Sequence, residues 1–154
     1  MNFQPPRVLT KVLALFSVLC LGLLALQASE QVESLNTKSI HISLKKQTLI
    51  AYLANQPIYS FKCSTGKNNT TPPGSWLIKE KVRHNRSLPK YGSVPIPFSL
   101  RLNVIVGNRA PRIAIHAHSS VPEYPASHGC IRLKYTEAET LFSWASVGTP
   151  VIIK

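Results

Sequence analysis

A short stretch of the chain, residues 115–133, gathers side chains that are suited to nucleophilic catalysis. It contains Cys130 and three of the five histidines of the chain, His116, His118 and His128. A cysteine attacks as its thiolate, and the thiolate fraction rises when an imidazole lies close enough to take the proton. We therefore interpret Cys130 as a nucleophile that is served by a neighbouring histidine.

Two residues beside the cysteine could support such a reaction. Gly129 permits a backbone geometry that aims amide N–H groups at a developing oxyanion. Arg132 can hold a carboxylate through a two-pronged hydrogen bond, which would make it a substrate-binding residue. The structural alternative for Arg132 is an ion pair with Glu137 or Glu139.

The same stretch is compatible with two other kinds of site. His116, His118, His128 and Cys130 are residue types that bind zinc, but their spacing matches no zinc motif. In an oxidising compartment, Cys130 could form a disulfide with Cys63. We expect a free thiol at Cys130, because its neighbours are those of a reactive cysteine, and a buried strand-end position for Cys63. We expect no metal and no cofactor.

The elements that must position these residues are mostly strands. Alternation of apolar and polar residues predicts three strands that form an antiparallel meander, and four later strands. A mainly β domain follows. The predicted strands cover residues 39–44, 48–53, 58–63, 75–79, 98–106, 112–116 and 151–153.

One helix and one long loop complete the pattern. Apolar residues at helical spacing predict a single short helix near the C-terminus, with Thr136 as its cap and Glu139 three residues later. Residues 82–97 contain three prolines and show poor periodicity, which predicts a long loop or flap. Loops of this length in small domains often border a functional site.

The composition is strongly basic. Lys and Arg number 18 against 6 acids in 154 residues, a formal charge of +12 and enough chain for one domain. All six acids are glutamates, so any triad or metal site built on aspartate is excluded. A basic protein attracts nucleic acid, anionic lipid or an anionic wall polymer. Because the basic residues are spread singly and form no nucleic-acid motif, we expect no nucleic-acid partner.

The N-terminus has the pattern of a targeting segment. Two basic residues precede an apolar run, residues 12–26, whose length is typical of a signal peptide and short for a membrane span. We predict a signal peptide over residues 1–28, with cleavage after Ala28. The alternative is an uncleaved anchor that attaches the protein to the inner membrane through residues 12–26. In both cases we expect export to the periplasm or cell wall, and a single folded domain over residues 36–154.

The cysteine lies in a motif that resembles a known family. Residues 127–132 (SHGCIR) are similar to the signature of the L,D-transpeptidase (YkuD-type) catalytic domain. His116, after Ile115, matches the strand-borne histidine upstream of that signature. The resemblance extends from about residue 39 to the C-terminus, through residues 64–67 (STGK), 71–74 (TPPG) and 148–151 (GTPV).

This resemblance implies a β-sandwich-like fold and an enzyme that acts on peptidoglycan stem peptides. Cys130 would attack the carbonyl of the diamino acid at the third stem position and release D-Ala. The acyl group would then pass to an amine of another stem or of a lipoprotein. His116 would be the general base, and His128 would orient the thiol loop with support from Ser127. The oxyanion would rest on N–H groups near Gly129 and Cys130.

Several points depart from the family pattern or stay open. Ala117 follows His116 where many relatives have glycine, and His118 adds a third imidazole, which either binds substrate or is solvated. Without aspartate, the group that orients His116 must be a backbone carbonyl, a hydroxyl such as Ser119, or Glu123. The rival functions are an L,D-carboxypeptidase that uses water as acceptor and a non-catalytic or zinc-binding wall protein. We expect a monomer.

Overall fold

The structure, a computed structural model, describes residues 37–154. The predicted signal peptide (1–28), with its alternative as an anchor through residues 12–26, lies outside the described residues. Within them, no helix is long and apolar enough to cross a bilayer. The elements are β1 Lys38–Ser43, β2 Thr48–Leu53, β3 Gln56–Lys62, β4 Gly74–Val82, β5 Ser99–Leu102, β6 Ala114–Ala117, β7 Ile131–Leu133, α1 Tyr135–Trp144 and β8 Pro150–Ile153.

The eight strands form one hydrogen-bonded sheet in the order β3-β2-β1-β8-β4-β5-β6-β7. The first three strands pair antiparallel in chain order, so the predicted meander is confirmed. The C-terminal strand β8 is inserted between β1 and β4, parallel to β1 and antiparallel to β4. The prediction of a mainly β fold with one short helix is confirmed.

Strand β4 joins the two halves of this sheet. Its first part, from Gly74 to Leu77, pairs with β8, and its second part, from Ile78 to Val82, pairs with β5. The register shifts between Ile78 and Glu80, where the change of partner takes place. The half beyond β4 carries the cysteine motif, because its last two strands are β6 and β7.

The helix α1 packs on strands β5 and β6 through one apolar face. Ala138, Leu141 and Phe142 are buried there, in the core that the strands share. The prediction that Thr136 caps this helix is wrong. The helix begins at Tyr135, and the N–H of Lys134 donates to the Glu137 carboxylate at 3.1 Å, so the capping acid comes two residues earlier.

Apart from β2, the strands differ from their predicted bounds, mostly by one to three residues, and two differences are larger. Strand β5 ends at Leu102 and not at residue 106, because the side chain of Asn103 accepts the Leu77 N–H at 2.7 Å. Beyond it, Val106 and Arg109 bond to each other across a tight turn. Strand β7 was not predicted, since it has only three residues and lies inside the cysteine motif.

Candidate active site

Cys130 and His116 reach the same side of the sheet because of the register of the last two strands. Strand β7 begins at Ile131, directly after Cys130, and runs parallel to β6, with Ile131 beside Ile115 and Arg132 beside His116. Successive side chains along a strand point to opposite faces. Ile115 and Ile131 are therefore buried in the core, and Cys130, His116 and Arg132 line a cavity on the other face.

The imidazole of His116 is held as a neutral base. Its side chain is 3% exposed, and its Nδ1 lies 2.8 Å from the carbonyl oxygen of Ala117. In neutral imidazole, an Nδ1 that donates to a carbonyl leaves Nε2 with a lone pair. Burial lowers the pKa of His116 to about 4; the hydrogen bond to Ala117 opposes this shift, and the charges of His118 and Arg132 add to it. The orienting group is thus the backbone, one of the three predicted alternatives.

The thiol of Cys130 is free and protonated at neutral pH. Burial raises the pKa of Cys130, although a backbone hydrogen bond at Ala114 and the charge of Arg132 act in the opposite direction. The Sγ atom lies 3.7 Å from the carbonyl oxygen of Arg112, which accepts its hydrogen. Cys63 is also a free thiol, but it is fully buried after β3, as predicted, and burial raises its pKa to about 12. Cys130 and His116, the chemical pair of the expected reaction, are therefore a neutral thiol and a neutral imidazole.

The loop before Cys130 is fixed by the hydroxyl of Ser127. This hydroxyl donates to the carbonyl oxygen of Cys130 at 2.6 Å and accepts from the N–H of Gly129 at 2.9 Å. Gly129 has φ +133°, and a Cβ atom there would lie 3.0 Å from the carbonyl oxygen of Thr70 and 2.9 Å from Ile113. Both the conformation and the space therefore require glycine at this position.

A second segment, residues 64–71, braces the loop from behind. The buried hydroxyl of Thr71 donates to the carbonyl oxygen of Gly129 at 2.7 Å and accepts the N–H of Gly66 at 2.7 Å. The Gln47 side chain in turn holds Thr65 through the N–H and the hydroxyl of that residue. Neither Thr71 nor Gln47 was predicted from the sequence to support the site. Thr71 belongs to the family-like TPPG motif, whereas Gln47 lies in a polar turn that indicates no function.

The cavity has a volume of about 490 Å³ and lies between this braced loop and the flap. The flap, residues 83–97, forms an irregular hairpin in which Ser87 bonds to Val94 and Ile96 bonds to Asn85. The predicted long loop at 82–97 therefore does border the cavity that contains Cys130. Flap residues that line it are Asn85, Arg86, Ser87, Leu88, Lys90, Tyr91, Val94 and Ile96.

The two other histidines of the motif region also line the cavity, in different ways. His118 is half-buried, 6.2 Å from His116 between ring centroids, and its Nδ1 lies 3.0 Å from both the N–H and the carbonyl oxygen of Ser120. His128 is exposed and stacks on Tyr91 of the flap, with ring centroids 4.7 Å apart and planes at 17°. His128 thus connects the thiol loop to the flap, a contact that the sequence did not predict.

The main chain of Arg132 is held by hydrogen bonds, and its side chain lines the cavity. Its N–H and carbonyl form an antiparallel bridge with Ser64 at 2.9 and 3.0 Å. The alternative ion pairs are not found among residues 37–154. Glu139 pairs with Arg83 at 3.8 Å, and the Glu137 carboxylate accepts the backbone N–H of Lys134.

The alternative of a zinc site gains no support from this arrangement. Within residues 37–154, no group of three or more histidine, cysteine or glutamate side chains is placed to hold a metal ion. The motif region therefore presents one thiol and three imidazoles around a cavity, and not a ligand set.

The family model of the L,D-transpeptidase catalytic domain (YkuD) matches residues 37–153, about three quarters of the chain and nearly all of the described domain. The chain belongs to this family. The resemblance inferred from the SHGCIR motif is therefore confirmed. No curated protein matches the chain.

Solved L,D-transpeptidases share the fold of this family member. An L,D-transpeptidase from Xylanimonas cellulosilytica is 25% identical with a TM-score of 0.59, and a cysteine-to-serine mutant from Enterococcus faecium is 21% identical with a TM-score of 0.65. L,D-transpeptidase 3 of Mycobacterium tuberculosis, in complex with a faropenem-derived adduct, is 16% identical with a TM-score of 0.64. The matches cover 77% to 78% of this chain but only 50% to 61% of those three chains, so the domain spans just over half of their length.

Proposed function

We propose that this family member is an exported peptidoglycan L,D-transpeptidase with Cys130 as its nucleophile. The observation that carries the proposal is that Cys130, directly before β7, and His116, on the adjacent strand β6, line the same cavity. Family membership supports an enzyme of the cell wall, and the unoccupied lone pair of His116 supplies the base that a neutral thiol needs. No cofactor enters the reaction, because the acyl-enzyme route divides amide exchange into two easier steps.

In the first step, a stem tetrapeptide binds with the carbonyl of its diamino acid beside Cys130. The thiol gives its proton to Nε2 of His116 as Sγ attacks the carbonyl carbon. The Gly129 N–H already donates to Ser127, so we assign the first oxyanion contact to the N–H of Cys130. The intermediate collapses to a thioester, and the amine of D-Ala leaves with the proton that His116 held.

In the second step, an amine of another stem or of a lipoprotein attacks the thioester. His116 takes a proton from that amine, and the same proton returns to sulfur as the C–S bond breaks. The product is a new amide and a free Cys130 thiol. If water replaces the amine, the same residues hydrolyse the thioester, which is the reaction of an L,D-carboxypeptidase.

The remaining cavity residues bind or position the substrate. We assign substrate binding to Arg132 and His118, whose side chains face the cavity on the same side as the chemical pair. Ser127 acts on the geometry of the loop, since its hydroxyl joins Gly129 to Cys130. His128 would hold the thiol loop against the flap through its contact with Tyr91.

The test of the nucleophile is mass spectrometry of the protein after exposure to a carbapenem. We expect a covalent adduct, as a solved relative contains an adduct derived from another β-lactam. Cys130→Ala should abolish the adduct. The matched control is Cys63→Ala, which removes the buried thiol and should leave the adduct in place. An adduct that survives Cys130→Ala would refute the assignment.

The test of the reaction is incubation with defined muropeptides that carry tetrapeptide stems. A crosslinked dimer is the product that we expect from a transpeptidase. A trimmed tripeptide alone would indicate the carboxypeptidase. No product from a folded protein would indicate a non-catalytic wall protein.

The proposed site of action is the periplasm or cell wall, so the domain must be exported. We propose that it acts there as a monomer. We propose that residues 1–28 are its signal peptide, or that residues 12–26 remain as an inner-membrane anchor. N-terminal sequencing of the exported protein should find Ser29 first in the former case. A periplasmic reporter fused to this segment that stays in the cytoplasm would contradict the proposal.

A further inference from the structure

The cavity around Cys130 carries an unbalanced positive charge. Six cationic side chains line it, against a single carboxylate, that of Glu80. Glu80 is already neutralised, because its Oε2 lies 2.7 Å from Nη1 of Arg101. The other five cations form no ion pair within residues 37–154. They are Lys79, Arg86, Lys90, Arg112 and Arg132.

No acid of the described domain is free to balance this charge. Glu123 pairs with Lys62 at 3.7 Å, Glu139 pairs with Arg83, and Glu137 caps the helix. The chemical pair does not balance it either, since the thiol and the imidazole are both neutral at pH 7. A concave wall that carries one sign of charge concentrates the field inside it and attracts ligands of the opposite sign. The cavity is therefore built for an anionic occupant.

The placement of the cations indicates which kind of anion fits. They come from separate elements around the cavity: Lys79 from β4, Arg86 and Lys90 from the flap, Arg112 from the segment before β6, and Arg132 from β7. A phosphate polymer would be bound by a continuous basic stripe. Separate cations around a cavity of about 490 Å³ are instead suited to a short peptide that has carboxylates at several separate points.

We propose that the cavity selects donor peptides whose carboxylates are free and charged, and that the flap cations Arg86 and Lys90 carry much of this selectivity. The proposal rests on the proposed transpeptidase function. Lys90 lies beside Tyr91, with its Nζ 5.0 Å from that ring, and Tyr91 stacks on His128 of the thiol loop. A carboxylate held by the flap thus binds close to the loop that carries the nucleophile.

The test compares two tetrapeptide donors that differ only in one side carboxyl, free in the first and converted to the neutral carboxamide in the second. Initial rates of product formation by the full-length protein give kcat/KM for each. We expect the carboxamide donor to be about tenfold poorer, as expected for the loss of a charge-assisted hydrogen bond. Added salt of about 0.5 M should narrow the difference, because it screens the cations at the mouth of the cavity.

Variants of the flap locate the effect. The double variant Arg86→Gln with Lys90→Gln should lower kcat/KM about fivefold for the free-acid donor and by much less for the carboxamide donor. Arg109→Gln is the matched control, because Arg109 is an exposed arginine in a turn that does not line the cavity, and it should alter neither rate. An equal loss on both donors in the double variant would overturn the role of the flap.

The outcomes separate this inference from the function on which it rests. If the wild-type protein forms the carbapenem adduct on Cys130 and processes both donors equally well, charge selection is wrong and the transpeptidase proposal stands. If neither donor reacts and no adduct forms, the proposed function is wrong and the selectivity falls with it.

Discussion

The two walls of the cavity are built in opposite ways. One wall includes the braced loop, residues 127–130, which residues 64–71 hold from behind through buried hydrogen bonds at several points. The hydroxyl of Thr71, 1% exposed, alone connects Gly66 to Gly129. The opposite wall, the flap, is mostly exposed, and hydrogen bonds such as that of Ser87 to Val94 pair its two arms. The base of the flap is held to β5 and β6 through Asn85, Ile96 and Pro97. Across the cavity, its tip meets the thiol loop in the stacking of Tyr91 on His128.

This difference separates two tasks. Attack on a carbonyl requires the nucleophile and the oxyanion donor to be held within a fraction of an ångström, which a network of buried hydrogen bonds provides. Admission and release of a peptide require a surface that moves at small cost, which the exposed tip of a hairpin provides. We expect substitutions in the braced loop to lower kcat or stability, and substitutions in the flap to change KM.

The largest expected effect is that of His116→Gln, which removes the proposed general base. Loss of a positioned general base costs about two to four orders of magnitude in rate. We expect kcat/KM with a tetrapeptide donor to fall by about a thousandfold, and carbapenem acylation of Cys130 to slow in parallel. His118→Gln, two residues away on the same side of the cavity, is the control and should cost much less. Comparable losses in the two variants would mean that His116 alone is not the general base.

The stability of the domain should depend on pH through the same residue. In the folded chain His116 stays neutral until the pH approaches about 4, whereas in the unfolded chain it is protonated below its ordinary pKa of 6.5. The unfolded state therefore binds more protons between these values, so the free energy of unfolding falls as the pH is lowered from 6.5 to 4. The contribution is at most about 3 kcal/mol.

Urea unfolding at pH 7 and at about pH 4.5 measures this contribution. Most of it should be lost at the lower pH. His116→Gln should flatten the dependence between the two values. A pH dependence that persisted unchanged in His116→Gln would show that burial of His116 is not its cause.

A smaller effect is expected from Thr71→Val, which keeps the shape of the side chain and removes its hydroxyl. The N–H of Gly66 would lose its acceptor, and the carbonyl oxygen of Gly129 would lose a donor. We expect a loss of about 2 kcal/mol in the free energy of unfolding, together with a lower kcat. Thr70→Val, at an exposed hydroxyl of the same segment, is the control. A Thr71→Val protein with unchanged stability and kcat would show that the loop needs no brace.

The sequence predicted the parts of this molecule that local pattern decides. Alternation of apolar and polar residues located β2 with its true bounds, and the contrast between periodic and proline-rich segments located the flap. Residue chemistry led to Cys130 with three candidate histidines, and the family resemblance selected His116 among them. The structure places both in one cavity, and their roles remain the proposal above.

The missed features depend on contacts between distant parts of the chain. Thr71 reaches Gly129 across 58 positions, and Gln47 reaches Thr65 across 18, so no local pattern marks either side chain as a brace. The tertiary pairing with β6 makes a strand of β7, a segment too short to alternate visibly. The helix start was misplaced because Thr136 and Glu139 fit the spacing of a capping box as well as the true acid, Glu137, fits its own position.

The smallest expected effect is that of Tyr91→Ala, which cuts the contact between the flap and the braced loop. The stack is exposed, so we expect the free energy of unfolding to change by less than about 1 kcal/mol. With the flap less often closed, KM for the donor should rise about threefold while kcat stays near the wild-type value. Tyr91→Phe keeps the ring and should behave as the wild type, and His128→Ala should reproduce the loss from the other partner. A fall in kcat without a change in KM would mean that the flap takes part in positioning the thiol, and that the two walls are not separate.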